Sequence, residues 1–94
     1  MQIISHRGNI NGSDKLMENQ PHNVMNTICM GFDVEVDVWH MSNGMYLGHD
    51  EPKYKIEFSF LVNNHLWIHC KNLEALIYLH LYGDKNMNLF YHKE

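Results

Sequence analysis

Glu35 and Asp37, in the stretch "FDVEVDVW", are two carboxylates on an otherwise apolar strand pattern, and they are the residues best placed to do chemistry. Side chains alternate across a strand, so residues two apart share a face. Buried together, the two acids cannot both stay ionised without a compensating cation, and a metal held through oxygen supplies one. A solvated face of an edge strand is the other reading, and the pattern alone does not choose between them. The same alternation puts His69 and Lys71 together at the end of "HLWIHCK", while His6 and Arg7 follow the apolar run "IIS" and His49 stands in "GHD". Arg7 and Lys71 carry fixed positive charge, which suits a phosphate. His6 as a hydrogen-bonded strand-end residue and His49 as a turn cap are the corresponding plain readings.

The elements that must hold these residues follow from periodicity. "QIIS" reads as a short buried strand, and "NINGSDKLMEN" as a long loop with glycine and asparagine turn signals. "PHNVMNTICMGF" predicts a short helix that starts at Pro21, carries Val24, Met25 and Ile28 on one face and stops at Gly31. "FDVEVDVW" alternates strictly, with Val34, Val36 and Val38 opposite Asp33, Glu35, Asp37 and Trp39. Trp39 follows the carboxylates on their face and is read as a core filler or a pocket wall. Asn43-Gly44 marks a tight turn, "MYLG" a loop hairpin, and "YKIEFSFLVNN" leans to helix. "HLWIHCK" is a further strand, Asn72 caps a helix with Leu73, Leu76, Ile77 and Leu81 at helical spacing, Gly83 closes it, and "MNLFYHKE" begins a last strand. The order of strands and helices predicts an α/β domain with a parallel sheet, and ligands of such sheets bind at the strand C-termini. His6, His69 and Lys71 all fall at such ends.

Composition bounds the rest. A chain of 94 residues makes one domain with a modest core, of a size that buries about 60 to 70% of its unfolded surface. The 45% apolar and 19% charged fractions suit a soluble globular protein, and no apolar run approaches a membrane span. A formal charge of -4 argues against nucleic acid as a partner. Eight histidines, each able to titrate near neutrality, invite a metal or acid–base role. His22, His40, His65 and His80 show no partner pattern and are read as structural or solvated. No secretory segment is visible after Met1, so the cytoplasm is the expected compartment, with Cys29 and Cys70 a reduced buried pair.

Taken in order, "HRG", "EN", "EVDVW", "GHD" and a lysine closing the next strand resemble the glycerophosphodiester phosphodiesterase family. The match runs from Ile3 to Lys71, and "FYHKE" looks like a fourth strand of the same fold. The resemblance implies the N-terminal part of a TIM (β/α)8 barrel, about four parallel strands with intervening helices, in a partial domain over residues 1–94. Since such barrels take about 250 residues, it also implies open edges and self-association or completion by another chain.

By that resemblance the catalytic histidines fall on His6 and His49, the phosphate-binding residues on Arg7 and Lys71, the metal ligands on Glu35 and Asp37, and a supporting glutamate on Glu18. The family usually has a glutamate where His69 stands. The implied cofactor is a divalent metal, magnesium or calcium, with the His69 imidazole shifting preference toward softer ions. The implied activity is metal-dependent hydrolysis of a small-molecule glycerophosphodiester to glycerol phosphate and an alcohol, in lipid metabolism. The alternative is a catalytically silent phosphate-binding or assembly module that keeps these residues in an incomplete barrel.

Overall fold

The computed structural model describes residues 4–6, 19–85 and 87–91, the first three of them as backbone only. Along the chain these form β1 (Ile4–His6), α1 (Pro21–Cys29), β2 (Asp33–Met41), β3 (Gly44–Leu47), β4 (Tyr54–Ile56), a 3-10 turn (Phe58–Leu61), β5 (Leu66–Cys70), α2 (Leu73–Tyr82) and β6 (Asn88–Tyr91). They make one six-stranded sheet in the order β4-β3-β2-β5-β6, with β1 also beside β2. β1 lies parallel to the first half of β2 and β3 antiparallel to its second half, so the two share one edge of β2, while β5 takes the other.

The sheet corrects the expectation of a partial (β/α)8 barrel built from about four parallel strands. The pairings β1 with β2, β2 with β5 and β5 with β6 are parallel, but β2 with β3 and β3 with β4 are antiparallel, so the sheet is mixed. The turn before Gly44, which adopts a φ of +138° open to glycine, returns the chain at once along β2. "MYLG" and "YKI" therefore become sheet strands, where a loop hairpin and a helix were expected. Only a four-residue 3-10 turn remains between β4 and β5, so no α-helix links β2 to its parallel neighbour β5.

One face of the sheet is the core. Val34, Val36, Val38, Met45, Leu47, Leu66, Ile68 and Cys70 are buried there with Val24 of α1 and Ala75 and Leu79 of α2. In α1, Val24 and Thr27 are buried and Ile28 partly so, whereas Met25 faces outward. Of the expected α2 stripe of Leu73, Leu76, Ile77 and Leu81, Leu76 packs partly against the core while Leu73, Ile77 and Leu81 are exposed. The inward positions are Ala75 and Leu79, because the small Ala75 lets the helix approach the sheet and the Asn72 cap fixes its rotation. That amide accepts from the N–H groups of Ala75 (3.0 Å) and His40 (3.1 Å) and donates to the His40 carbonyl (3.0 Å), binding cap to strand. Cys70 is buried, and burial pushes its thiol up to about 11; Cys29 is exposed, so the two do not form the buried pair expected. No helix of the described residues is long and apolar enough to cross a membrane.

Candidate metal centre

The opposite face of β2 carries Asp33, Glu35, Asp37 and Trp39, and the register sets Glu35 across from Trp67 and Asp37 across from His69. One donor atom from each of Glu35, Asp37 and His69 lies within 4.8 Å of the others. Asp37 is fully buried, His69 is nearly so and Glu35 is half-buried. Strand alternation is what brings them together, because the valines between the acids are claimed by the core and leave the carboxylates no other side.

Asp37 is the hub. Its Oδ1 lies 3.0 Å from His69 Nδ1, and its Oδ2 accepts from the Asn19 side-chain amide at 3.0 Å. Asn19 is itself fully buried at a positive φ of 59°, a backbone region asparagine tolerates, and its Oδ1 accepts from the Asp37 N–H at 2.8 Å. The amide thus grips both the backbone and the carboxylate of one residue. His49, in the loop after β3, brings Nδ1 to 3.6 Å from Asp37 Oδ2 and Nε2 to 3.7 Å from Asp50 Oδ1. The His69 ring stacks on Phe90 of β6 with centroids 4.8 Å apart and 8° between planes. Its Nε2 is buried with no hydrogen-bond partner among the described residues.

Lys71 is half-buried just past β5, its N–H bonded to the Val38 carbonyl at 2.8 Å. In the backbone register, His6 lies opposite Glu35. The side chain of His6, together with Arg7 and Glu18, lies outside the described residues. Of the residues singled out in the sequence, the structure thus gathers Glu35, Asp37, His69 and His49, and seats Lys71 at the neighbouring strand end. It adds Asn19, which the motif "EN" contains but which carries no charge to draw attention; Trp39, read as a core filler or a pocket wall, donates its indole N–H to the Gly48 carbonyl at 2.7 Å.

A second acid–histidine pair occupies the other end of the same face. His65 Nδ1 lies 2.9 Å from Asp33 Oδ1, and the Trp67 indole donates to Asp33 Oδ2 at 3.1 Å, so His65 does have a partner. Burial pushes the Asp33 carboxyl up, but the hydrogen bonds from His65 and Trp67 and the His65 charge outweigh it and hold it below the usual value of 3.8. A cleft of about 420 Å³, lined by Val62, Asn63, Asn64, Asp84 and Met87, sits by the N-terminal ends of β5 and β6 and includes none of the centre's residues.

Two carboxylates and an imidazole form a mixed oxygen and nitrogen donor set, and a buried ring nitrogen without a hydrogen-bond partner among the described residues fits a ligand for a cation. Fold and site together define a small mixed α/β domain with a carboxylate–imidazole centre on one sheet face, between the first half of β2 and the C-terminal end of its parallel neighbour β5. No family model matches the chain, and no curated protein or solved structure does.

Proposed function

We propose that the chain is a metal-dependent phosphodiester hydrolase domain of the glycerophosphodiester phosphodiesterase kind. The observation that carries the reading is the convergence of Glu35, Asp37 and His69, with His49 brought to Asp37 from a separate loop. Glu35, Asp37 and His69 hold a divalent ion, which when bound supplies charge stabilisation at a phosphodiester oxygen. The imidazole favours manganese, iron or zinc over magnesium and calcium.

The chain's own groups do the rest. Asn19 and His69 hold the Asp37 carboxylate in one orientation. Lys71 and Arg7 set fixed positive charge against the non-bridging oxygens as negative charge develops there. His49 and His6 carry the protons, one taking a proton from the attacking hydroxyl or water and the other giving one to the departing alcohol, each step contributing about 10² to 10⁴-fold. Glu18 supports this arrangement. The substrate class is a small glycerophosphodiester and the compartment the cytoplasm. Self-association, or completion by another chain, is supported by the outer edge of β6 and by exposed Leu73, Ile77 and Leu81.

The test is turnover of a glycerophosphodiester by the purified chain across a panel of divalent metals, followed as released glycerol phosphate. Metal-dependent release that alanine at His49 or His6 abolishes is the expected result. Turnover that survives either substitution rules out the roles assigned to the histidines. Absence of turnover with every metal, together with retained binding of inorganic phosphate, favours the silent binding module instead.

A further inference from the structure

Where β3 ends beside Asp37, the ladder between β2 and β3 is broken in a particular way. The last paired residues are Val38 with Leu47, and one step further Asp37 faces Gly48. A hydrogen-bonded antiparallel pair exchanges two bonds, each residue's N–H going to the other's carbonyl. Here one bond is made, from the Gly48 N–H to the Asp37 carbonyl at 3.1 Å. The other is not, because the Asp37 N–H is taken by Asn19 Oδ1 at 2.8 Å and the Gly48 carbonyl by the Trp39 indole at 2.7 Å. Two side chains have split the rung between them.

The split falls directly before His49. Gly48 is buried, and a Cβ there would lie 1.8 Å from the Glu51 carbonyl oxygen, so the loop folds back tightly over this residue and only glycine fits. The Lys53 N–H closes the loop onto the Leu47 carbonyl at 3.0 Å. With Gly48 held on its N–H by Asp37 and on its carbonyl by Trp39, the peptide leading into His49 is fixed in direction, and the imidazole arrives 3.6 Å from Asp37 Oδ2. Trp39 can reach because it shares the face of Glu35 and Asp37, two positions further along β2.

We propose that Trp39 is a positioning residue for His49: its indole N–H takes the carbonyl that the ladder has released and so orients the loop that presents the imidazole to the metal centre. The catalytic part of this inference rests on the phosphodiesterase reading; the structural part does not. Trp39→Phe keeps the ring and removes the N–H. In the metal-loaded protein, hydrogen exchange at the Gly48 and His49 amides is expected to quicken about five- to tenfold, the worth of one lost hydrogen bond, while the Val36 and Ile68 amides hold their rates. In turnover, kcat falls by a similar factor with KM within about twofold, since the binding groups stay in place.

Should Trp39→Phe destabilise the whole fold, exchange at Val36 and Ile68 rises as well, and Trp39→His, which returns a ring N–H, is the second variant. Slow exchange restored at Gly48 by that histidine supports the clasp. Unchanged exchange at Gly48 and His49 in Trp39→Phe overturns it. Faster exchange there with unchanged kcat overturns the link to catalysis. A wild-type chain without diesterase turnover removes the phosphodiesterase reading, while the exchange measurement still decides whether Trp39 holds the loop.

Discussion

Asp33 with His65 and Asp37 with His69 are the same chemical pair, set four residues apart along β2 and along the segment that runs from the turn at His65 into β5. Their acid–imidazole distances are nearly equal, 2.9 Å and 3.0 Å. What differs is the surroundings. Asp33 spends its second oxygen on the Trp67 indole, and the His65 side chain is 53% exposed, so its far nitrogen can reach water. Asp37 spends its second oxygen on Asn19, the His69 side chain is only 11% exposed, its Nε2 is buried with no hydrogen-bond partner among the described residues, and Glu35 brings a second carboxylate within 4.8 Å of the pair. An acid–histidine pair that can complete its hydrogen bonds with a tryptophan and solvent is a structural tie. The same pair, buried beside another acid and with a ring nitrogen unanswered among the described residues, offers donors to a cation.

The comparison breaks most readily at Asp37. Asp37→Asn is expected to lower divalent-metal affinity by about 100-fold or more and to remove turnover with it, because it takes a charge from the centre and disturbs the partner of His69. Asp33→Asn is expected to leave metal affinity within about twofold. Calorimetric titration with manganese and zinc reads both, and equal losses in the two variants would erase the distinction between tie and site. At the next scale, His69→Glu exchanges nitrogen for oxygen in the donor set, and we expect the ratio of zinc to magnesium affinity to fall about tenfold or more. His65→Gln, at the tie, is expected to leave that ratio unchanged, and a change there would place His65 in the centre.

The separation between these two pairs was only partly legible in the sequence. The alternation of Val34, Val36 and Val38 with the acids announced both the strand and the shared face of Glu35 and Asp37, because burial of one face dictates the direction of the other. Asn72 declared the start of α2 through its capping chemistry. Asn19 stayed hidden: its bonds to Asp37 span 18 residues, and no local pattern encodes an uncharged amide folding back over that distance. His65 looked partnerless for the same reason, since Asp33 is 32 residues away in the chain. The stripe of Leu73, Leu76, Ile77 and Leu81 is real as a spacing, but of its members Leu76 alone packs partly on the core, and Ala75, less apolar than leucine, takes a fully buried position because its size permits contact. The antiparallel β3 and β4 were visible as a turn signal, yet a turn does not say that the returning chain will extend the sheet beside β2.

On stability the two ends exchange roles. Asp33 is almost fully buried with two side-chain donors, and Asp33→Asn is expected to cost about 1 to 3 kcal/mol in chemical denaturation through loss of charge-assisted bonds.

The finest test of the tie is its pH dependence. The Asp33 carboxyl is held below its ordinary value of 3.8 in the folded chain, so the unfolded chain binds that proton first as pH falls. The stabilisation is therefore complete well above pH 4, shrinks as the pH drops through 3.8, and is gone once the folded carboxyl has also taken up its proton. The wild type is expected to lose more stability between pH 6 and pH 3 than Asp33→Asn, which has no proton to bind at this position, and the two unfolding curves should converge at the acid end. Denaturation midpoints measured at several pH values on both proteins read this directly. Parallel decline of the two would mean that the Asp33 carboxylate gains nothing from His65 and Trp67, and the contrast between a satisfied pair and an unsatisfied one would lose its first member.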